Sequence, residues 1–103
     1  VDEEPEVLAI DVVWIHYIEA EPIRLVSLLD NNRYEVRKLE FFRDGQVGYA
    51  DRMRSNLGMH LGKLPVPPLT EINADPQFNA SGIESALFNK LWFLQVLDAG
   101  KRD

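Results

Sequence analysis

The sequence predicts an α+β domain: an antiparallel β-meander of about four strands packed on one C-terminal α-helix. Three observations carry this. Segments rich in β-branched and aromatic residues recur from Val7 to Tyr49. Strong turn signals, Asp30-Asn31-Asn32 and Asp44-Gly45, separate them. From Ile83 the apolar spacing changes to that of a helix.

The first strand is read over Val7 to Tyr17, with Leu8, Ile10, Val12 and Trp14 on one buried face. Glu19 to Pro22 turns the chain, and Ile23 to Leu29 is the second strand. In the third strand, Arg33 to Phe41, Tyr34 and Val36 have one parity and Leu39 and Phe41 the other. A β-bulge at Arg37-Lys38 would bring all four to one side; a sheet with apolar contacts on both faces is the alternative. The next hairpin is read from register. A three-residue loop, Arg43-Asp44-Gly45, places Phe41 opposite Val47 and Leu39 opposite Tyr49, so apolar residues pair. Gly48 then lies opposite Glu40, where a missing side chain costs little core.

Beyond Asp51 the pattern dissolves into a surface loop with a returning strand near Met59 to Leu61. Leu64-Pro65-Val66-Pro67-Pro68-Leu69 is a polyproline-like bridge, followed by a helical turn at Thr70 to Asn73. Ser81-Gly82-Ile83-Glu84 has the spacing of a capping box, so the helix is expected to start at Ser81. Ile83, Ala86, Leu87, Leu91, Leu94 and Leu97 form its stripe, widened by Phe88, and Gly100 is its expected stop. Trp92, Phe93 and Val96 widen the apolar arc further. That predicts either a deep groove in the sheet or a homodimer contact through Trp92 and Phe93.

With 103 residues the chain makes one domain, read as 7–100 between an acidic arm (1–6) and a short tail (101–103). The absence of cysteine removes disulfides and thiolate metal sites, and suits a cytoplasmic protein. The net charge of −6 opposes binding to nucleic acid or an anionic membrane. It serves solubility first, and would complement a basic protein partner. The acidic N-terminus lacks the pattern of a signal peptide, and no apolar run approaches the roughly 20 residues of a membrane span.

No catalytic signature emerges. His16 and His60 lie far apart in sequence, without the spacing of a metal motif, so neither a metal nor a cofactor is expected. Ser27 and Ser55 have no base beside them in sequence. Glu19, Glu21, Glu35, Glu40 and Asp51 could supply a paired-carboxylate enzyme, but strand carboxylates alternating with Arg33, Arg37 and Lys38 read as a charge-balanced face. Gly58 to Leu64 falls one residue short of a phosphate loop and ends on Leu where Ser or Thr is needed. What remains is a patch of interface-type residues: Trp14, His16 and Tyr17 on strand one, with Arg24, Arg33, Arg37 and Arg43 on its neighbours. The leading expectation is a non-enzymatic protein-binding module of immunity or inhibitor type. The alternatives are a small hydrolase or metal-dependent enzyme using His16, His60 and carboxylates, and a ligand-binding homodimer.

Several segments together look familiar: Trp14-Ile15-His16, Arg33 to Lys38, Phe42-Arg43-Asp44-Gly45 with Gly48-Tyr49, Pro65 to Ile72, and Phe88 with Trp92. In combination they resemble a family of small bacterial proteins known only as a domain of unknown function. The resemblance spans Leu8 to Trp92. It implies bacterial origin and a small stand-alone domain. It carries no known activity, so no catalytic residue is transferred by it.

Overall fold

The computed structural model describes residues 8–97. The acidic arm, the Gly100 helix stop and the tail lie outside the described residues. Strands β1 (Ala9–Trp14), β2 (Arg24–Leu29), β3 (Glu35–Phe41) and β4 (Val47–Ala50) are followed by the short helix α1 (Leu69–Asn73), strand β5 (Phe78–Ile83) and helix α2 (Ser85–Trp92). A π-helical turn, Phe93–Leu97, extends α2. The sheet is antiparallel in the order β4-β3-β2-β1-β5. The predicted α+β class, meander and packed C-terminal helix therefore hold. The meander gains a fifth strand that the sequence pattern did not reveal.

That strand overturns the capping box. Ser81 pairs with Asp11 inside β5, and α2 begins at Ser85 with Glu84 in the N-cap position and no side-chain cap bond. The reason is non-local. β1 is buried on both faces, with Ala9 on one and Ile10 and Val12 on the other, so it needs a paired strand on each side. Phe78-Asn79-Ala80 supplies the period-two alternation for that pairing.

The two sheet faces are unequal. On one, α2 buries Phe88 and Trp92 against Ala9, Val26 and Leu39, with Ile83, Leu91 and Val96 packed around them. The predicted helix stripe is thus rotated, and Leu87 and Leu97 are exposed. Trp92 stacks on Phe88, meets the edge of Tyr49 and lies under the Arg37 guanidinium. At 2% exposure Trp92 is core, which removes it as a dimer contact; Phe93, 48% exposed, remains on the surface. Burying Phe88 and Trp92 yields far more apolar contact than the leucines they displace.

On the other face, Ile10, Val12, Leu29 and Ala80 form a thinner core under Val66, Leu69 and Ile72 from the proline bridge and α1. The predicted hairpin register is present: Phe41 opposite Val47, Leu39 opposite Tyr49, and Gly45 at φ +94°. Gly48 does face Glu40, but its missing side chain matters, since a Cβ there would come within 2.9 Å of Met59 Cγ. The returning strand near Met59 is not formed; the chain makes only an isolated bridge, Ala50 to Ser55.

The bulge exists one residue earlier than expected. Arg37 pairs with Leu28 and Glu35 with Leu29, so Val36 is the extra residue. Its effect differs from the one foreseen. Tyr34 stays exposed, while Glu35 is turned onto the face that carries Lys38 and Glu40.

An asparagine side chain caps part of each sheet edge. On β5, Asn73 Oδ1 accepts from the Ala80 amide (2.6 Å) and its Nδ2 donates to the Ala80 carbonyl (2.9 Å). On β4, Asn56 Oδ1 accepts from the Tyr49 amide (2.6 Å) and its Nδ2 donates to the Val47 carbonyl (3.1 Å). The Asn56 amide also donates to the Tyr49 carbonyl (3.1 Å). Each asparagine imitates a strand neighbour at that position and obstructs pairing with another chain there.

Candidate functional site

Two surfaces combine shape with chemistry: the β1–β2 loop and a cleft on the thinly covered sheet face.

The loop is built around His16. Its Nδ1 accepts the Ile18 amide at 2.9 Å, which leaves Nε2 to donate to the Pro22 carbonyl at 2.7 Å. Both ring nitrogens are thereby occupied in shaping the loop. Arg43 reaches across from the β3–β4 hairpin and donates to the His16 carbonyl at 2.7 Å. Trp14 packs on the His16 ring (centroids 4.3 Å apart) and on Phe78 (5.8 Å). Trp14 Nε1 donates to Gln77 Oε1 at 3.2 Å. The braced loop presents Ile15, Tyr17 and Ile18 to solvent, with Tyr17 96% exposed and Glu19 and Glu21 beside them.

The residues of the sequence-derived patch do not form one surface. Trp14, His16, Tyr17 and Arg43 come together at this end. Arg24 is turned onto the helix-bearing face. There it grips Asp11 with two bonds, Nε to Oδ1 at 3.0 Å and Nη2 to Oδ2 at 2.7 Å, and lies over Phe41. That bond to Asp11 holds the Arg24 guanidinium above its already high ordinary value, against the opposing effect of burial. Arg37 covers Trp92 on the same face. Arg33 is at the far end, after the Asp30 turn, in left-handed backbone (φ 69°). Its Nε and Nη2 donate to the carbonyls of Val66 (2.7 Å) and Pro67 (2.8 Å), and its carbonyl accepts from the Val66 amide (2.8 Å). Arg33 is the clasp that holds the proline bridge to the sheet.

That bridge forms one wall of the second surface, a cleft of about 380 Å³. Its floor is Ile10, Val12, Leu25 and Ser27 of β1 and β2; Val66, Ile72 and Phe78 wall it, and Glu71 and Asp75 stand in the lining. Glu35 enters from β3 because of the bulge. Its Oε1 accepts the Gly62 amide at 2.6 Å, and its Oε2 accepts from Ser27 Oγ at 3.3 Å. Ser27 is 4% exposed. Lys38 Nζ lies 3.3 Å from Glu40 and 3.8 Å from Glu35, joining the two carboxylates. In the sequence Glu35, Glu40 and Ser27 are unconnected candidates. The one available signal is the parity break in β3; a one-residue error in the bulge puts Glu35 on the wrong face.

His60 lies on the exposed loop after β4, in a shallow depression with Asp51, Arg54, Ser55 and Met59. Burial pushes the Asp51 carboxyl up, but the amides of Met53 and Arg54 and the Arg54 side chain together hold it below the ordinary carboxylate range. Among the described residues no group of His, Asp and Glu side chains is arranged to hold a metal ion. Nor does any described helix have the length and apolarity to cross a membrane.

No curated protein matches the chain, and no solved structure does. A family model does match, over residues 9–96, from the first strand through the helix that completes the core. The chain therefore belongs to the family described as Domain of unknown function (DUF6881).

Proposed function

We propose that the domain is a non-enzymatic protein-binding module, of immunity or inhibitor type, which engages a basic partner protein in the cytoplasm through its β1–β2 loop. The observation that carries this reading is the combination of a braced loop with an almost fully exposed Tyr17. A tip held by His16 and Arg43 loses little entropy on binding, and a rigid aromatic anchor is the side chain that dominates interface energy. Glu19, Glu21 and the net charge of −6 suit a basic partner and a fast, salt-sensitive encounter. The asparagine caps on both edges favour a loop-borne contact over strand addition.

The test uses the intact chain and a Tyr17→Ser/Ile18→Ser variant as baits in lysate of the cells that make it. A basic protein retained by the former and released by the latter, with equal melting temperatures, supports the reading. The purified pair should then associate more slowly as salt rises. Identical captures by both baits would refute it. The competing reading, a ligand-binding homodimer, rests on the exposure of Phe93. Sedimentation separates the two, because the module predicts a monomer whose mass does not change with Phe93→Ser.

A further inference from the structure

The cleft between the sheet and the proline bridge is a surface separate from the β1–β2 loop, and the protein-binding reading makes no use of it. Its volume of about 380 Å³ is at the small end of ligand sites, which span roughly 300–1,000 Å³. Its apolar lining is open: Leu25 in the floor and Val66, Ile72 and Phe78 in the walls are only partly buried, so part of each is left uncovered by protein. The ionisable groups in the lining are Glu35, Glu71 and Asp75, all carboxylates; no cationic side chain lines it among the described residues. The Lys38 ammonium pairs with Glu40 at 3.3 Å and, more loosely, with Glu35 Oε1 at 3.8 Å. Arg33 is turned onto the carbonyls of the bridge.

Glu35 is the specific element. A regular β3 would point it toward the helix-covered face; the Val36 bulge directs it into the cleft. Its Oε1 is held by the Gly62 amide, while Oε2 has only the long 3.3 Å bond from Ser27. A carboxylate oxygen in that state can accept another donor.

We propose that this cleft binds a small molecule with an apolar body and one protonated amine, the ammonium received by Glu35 and the body lying on Leu25, Val66 and Ile72. Charge complementarity selects the amine: an anionic ligand would meet three carboxylates, and a neutral alcohol would offer Glu35 Oε2 a hydrogen bond without the charge assistance that an ammonium adds.

The experiment is a methyl-NMR titration of the whole chain with n-hexylammonium, hexanol and hexanoate. Hexylammonium should shift the methyls of Ile10, Val12, Leu25, Val66 and Ile72 saturably, and the other two should bind at least about tenfold more weakly. Glu35→Gln keeps an acceptor for Gly62 and should weaken hexylammonium by about tenfold, as expected for losing a charged hydrogen bond. Should Glu35→Gln fail to fold, Glu71→Gln, exposed on α1, carries the test with a loss of about threefold by removing one charge. The proposal is overturned by absence of saturable shifts at these methyls, by equal binding of the three probes, or by folded variants that bind hexylammonium as the parent does.

Discussion

Replacing Asn73 by alanine probes how this sheet ends. The side chain makes two bonds to Ala80, at 2.6 and 2.9 Å, and Ala80 is buried. The atom assignment is fixed by chemistry, because an amide N–H can only donate and a carbonyl can only accept. Truncation removes both bonds. Each has a net worth of about 0.5–1.5 kcal/mol, so Asn73→Ala should cost roughly 1–3 kcal/mol. In a domain of this size that lowers the melting temperature by about 4–8 °C per kcal/mol. Asn73→Asp should fall between, since a carboxylate still accepts from the Ala80 amide but faces its carbonyl without a donor. Urea unfolding measures the stability change, and hydrogen exchange reads the Ala80 amide directly. Faster exchange at Ala80, with the β1 amides changed only by the global loss, locates the effect at the edge. A loss under about 0.3 kcal/mol with unchanged Ala80 exchange would show that water replaces Asn73 freely, and that Asn73 does not close the edge.

At Arg33, both Arg33→Gly and Arg33→Ala lose the clasp on Val66 and Pro67, but only Ala keeps a side chain in left-handed backbone; the alanine variant should be about 1 kcal/mol the less stable in urea. Lys38→Met leaves Glu35 and Glu40 without their shared cation and should cost about 3 kcal/mol, whereas the triple variant Glu35→Gln/Lys38→Met/Glu40→Gln should recover much of it. Asp51 has a depressed folded pKa, so its contribution is complete above its ordinary value near 3.8 and is lost as pH falls through the folded value. The melting-temperature gap between the parent and Asp51→Asn should thus be flat from neutral pH down to about 4 and close below it. It should also be small, because the partner side chain, Arg54, is half-exposed and the pair is screened by solvent. Gly48→Ala pushes on Met59 Cγ at 2.9 Å; a cost of about 1 kcal/mol should shrink when Met59→Ala is added, and additivity of the two would reject that contact.

The meander and the Arg43 to Gly45 turn were legible because their causes are local or nearly so. A two-residue alternation, a pair of turn residues and one choice of register decide them. The proline bridge and α1 were likewise visible as composition. Ser81 to Glu84 shows the limit of such reasoning. Its capping spacing is real, yet β1 needs a neighbour on its open side, and burying Ala9, Ile10 and Val12 outweighs a cap worth about 1 kcal/mol. The arginines show the same limit from the other side. Arg24, Arg33, Arg37 and Arg43 look alike in sequence, but strand parity and the ends of the sheet send them to an ion pair, a clasp, an aromatic ring and a loop brace. The candidate cleft depended on tertiary structure entirely. Its carboxylate faces inward only because one extra residue at Val36 reverses the parity of β3, and the place of that residue is set by which pairing buries Leu39 and Phe41 under α2. By itself the sequence determined the class, the order of the first four strands and the acidic surface. Which faces were covered, and what was left open between them, was decided by packing.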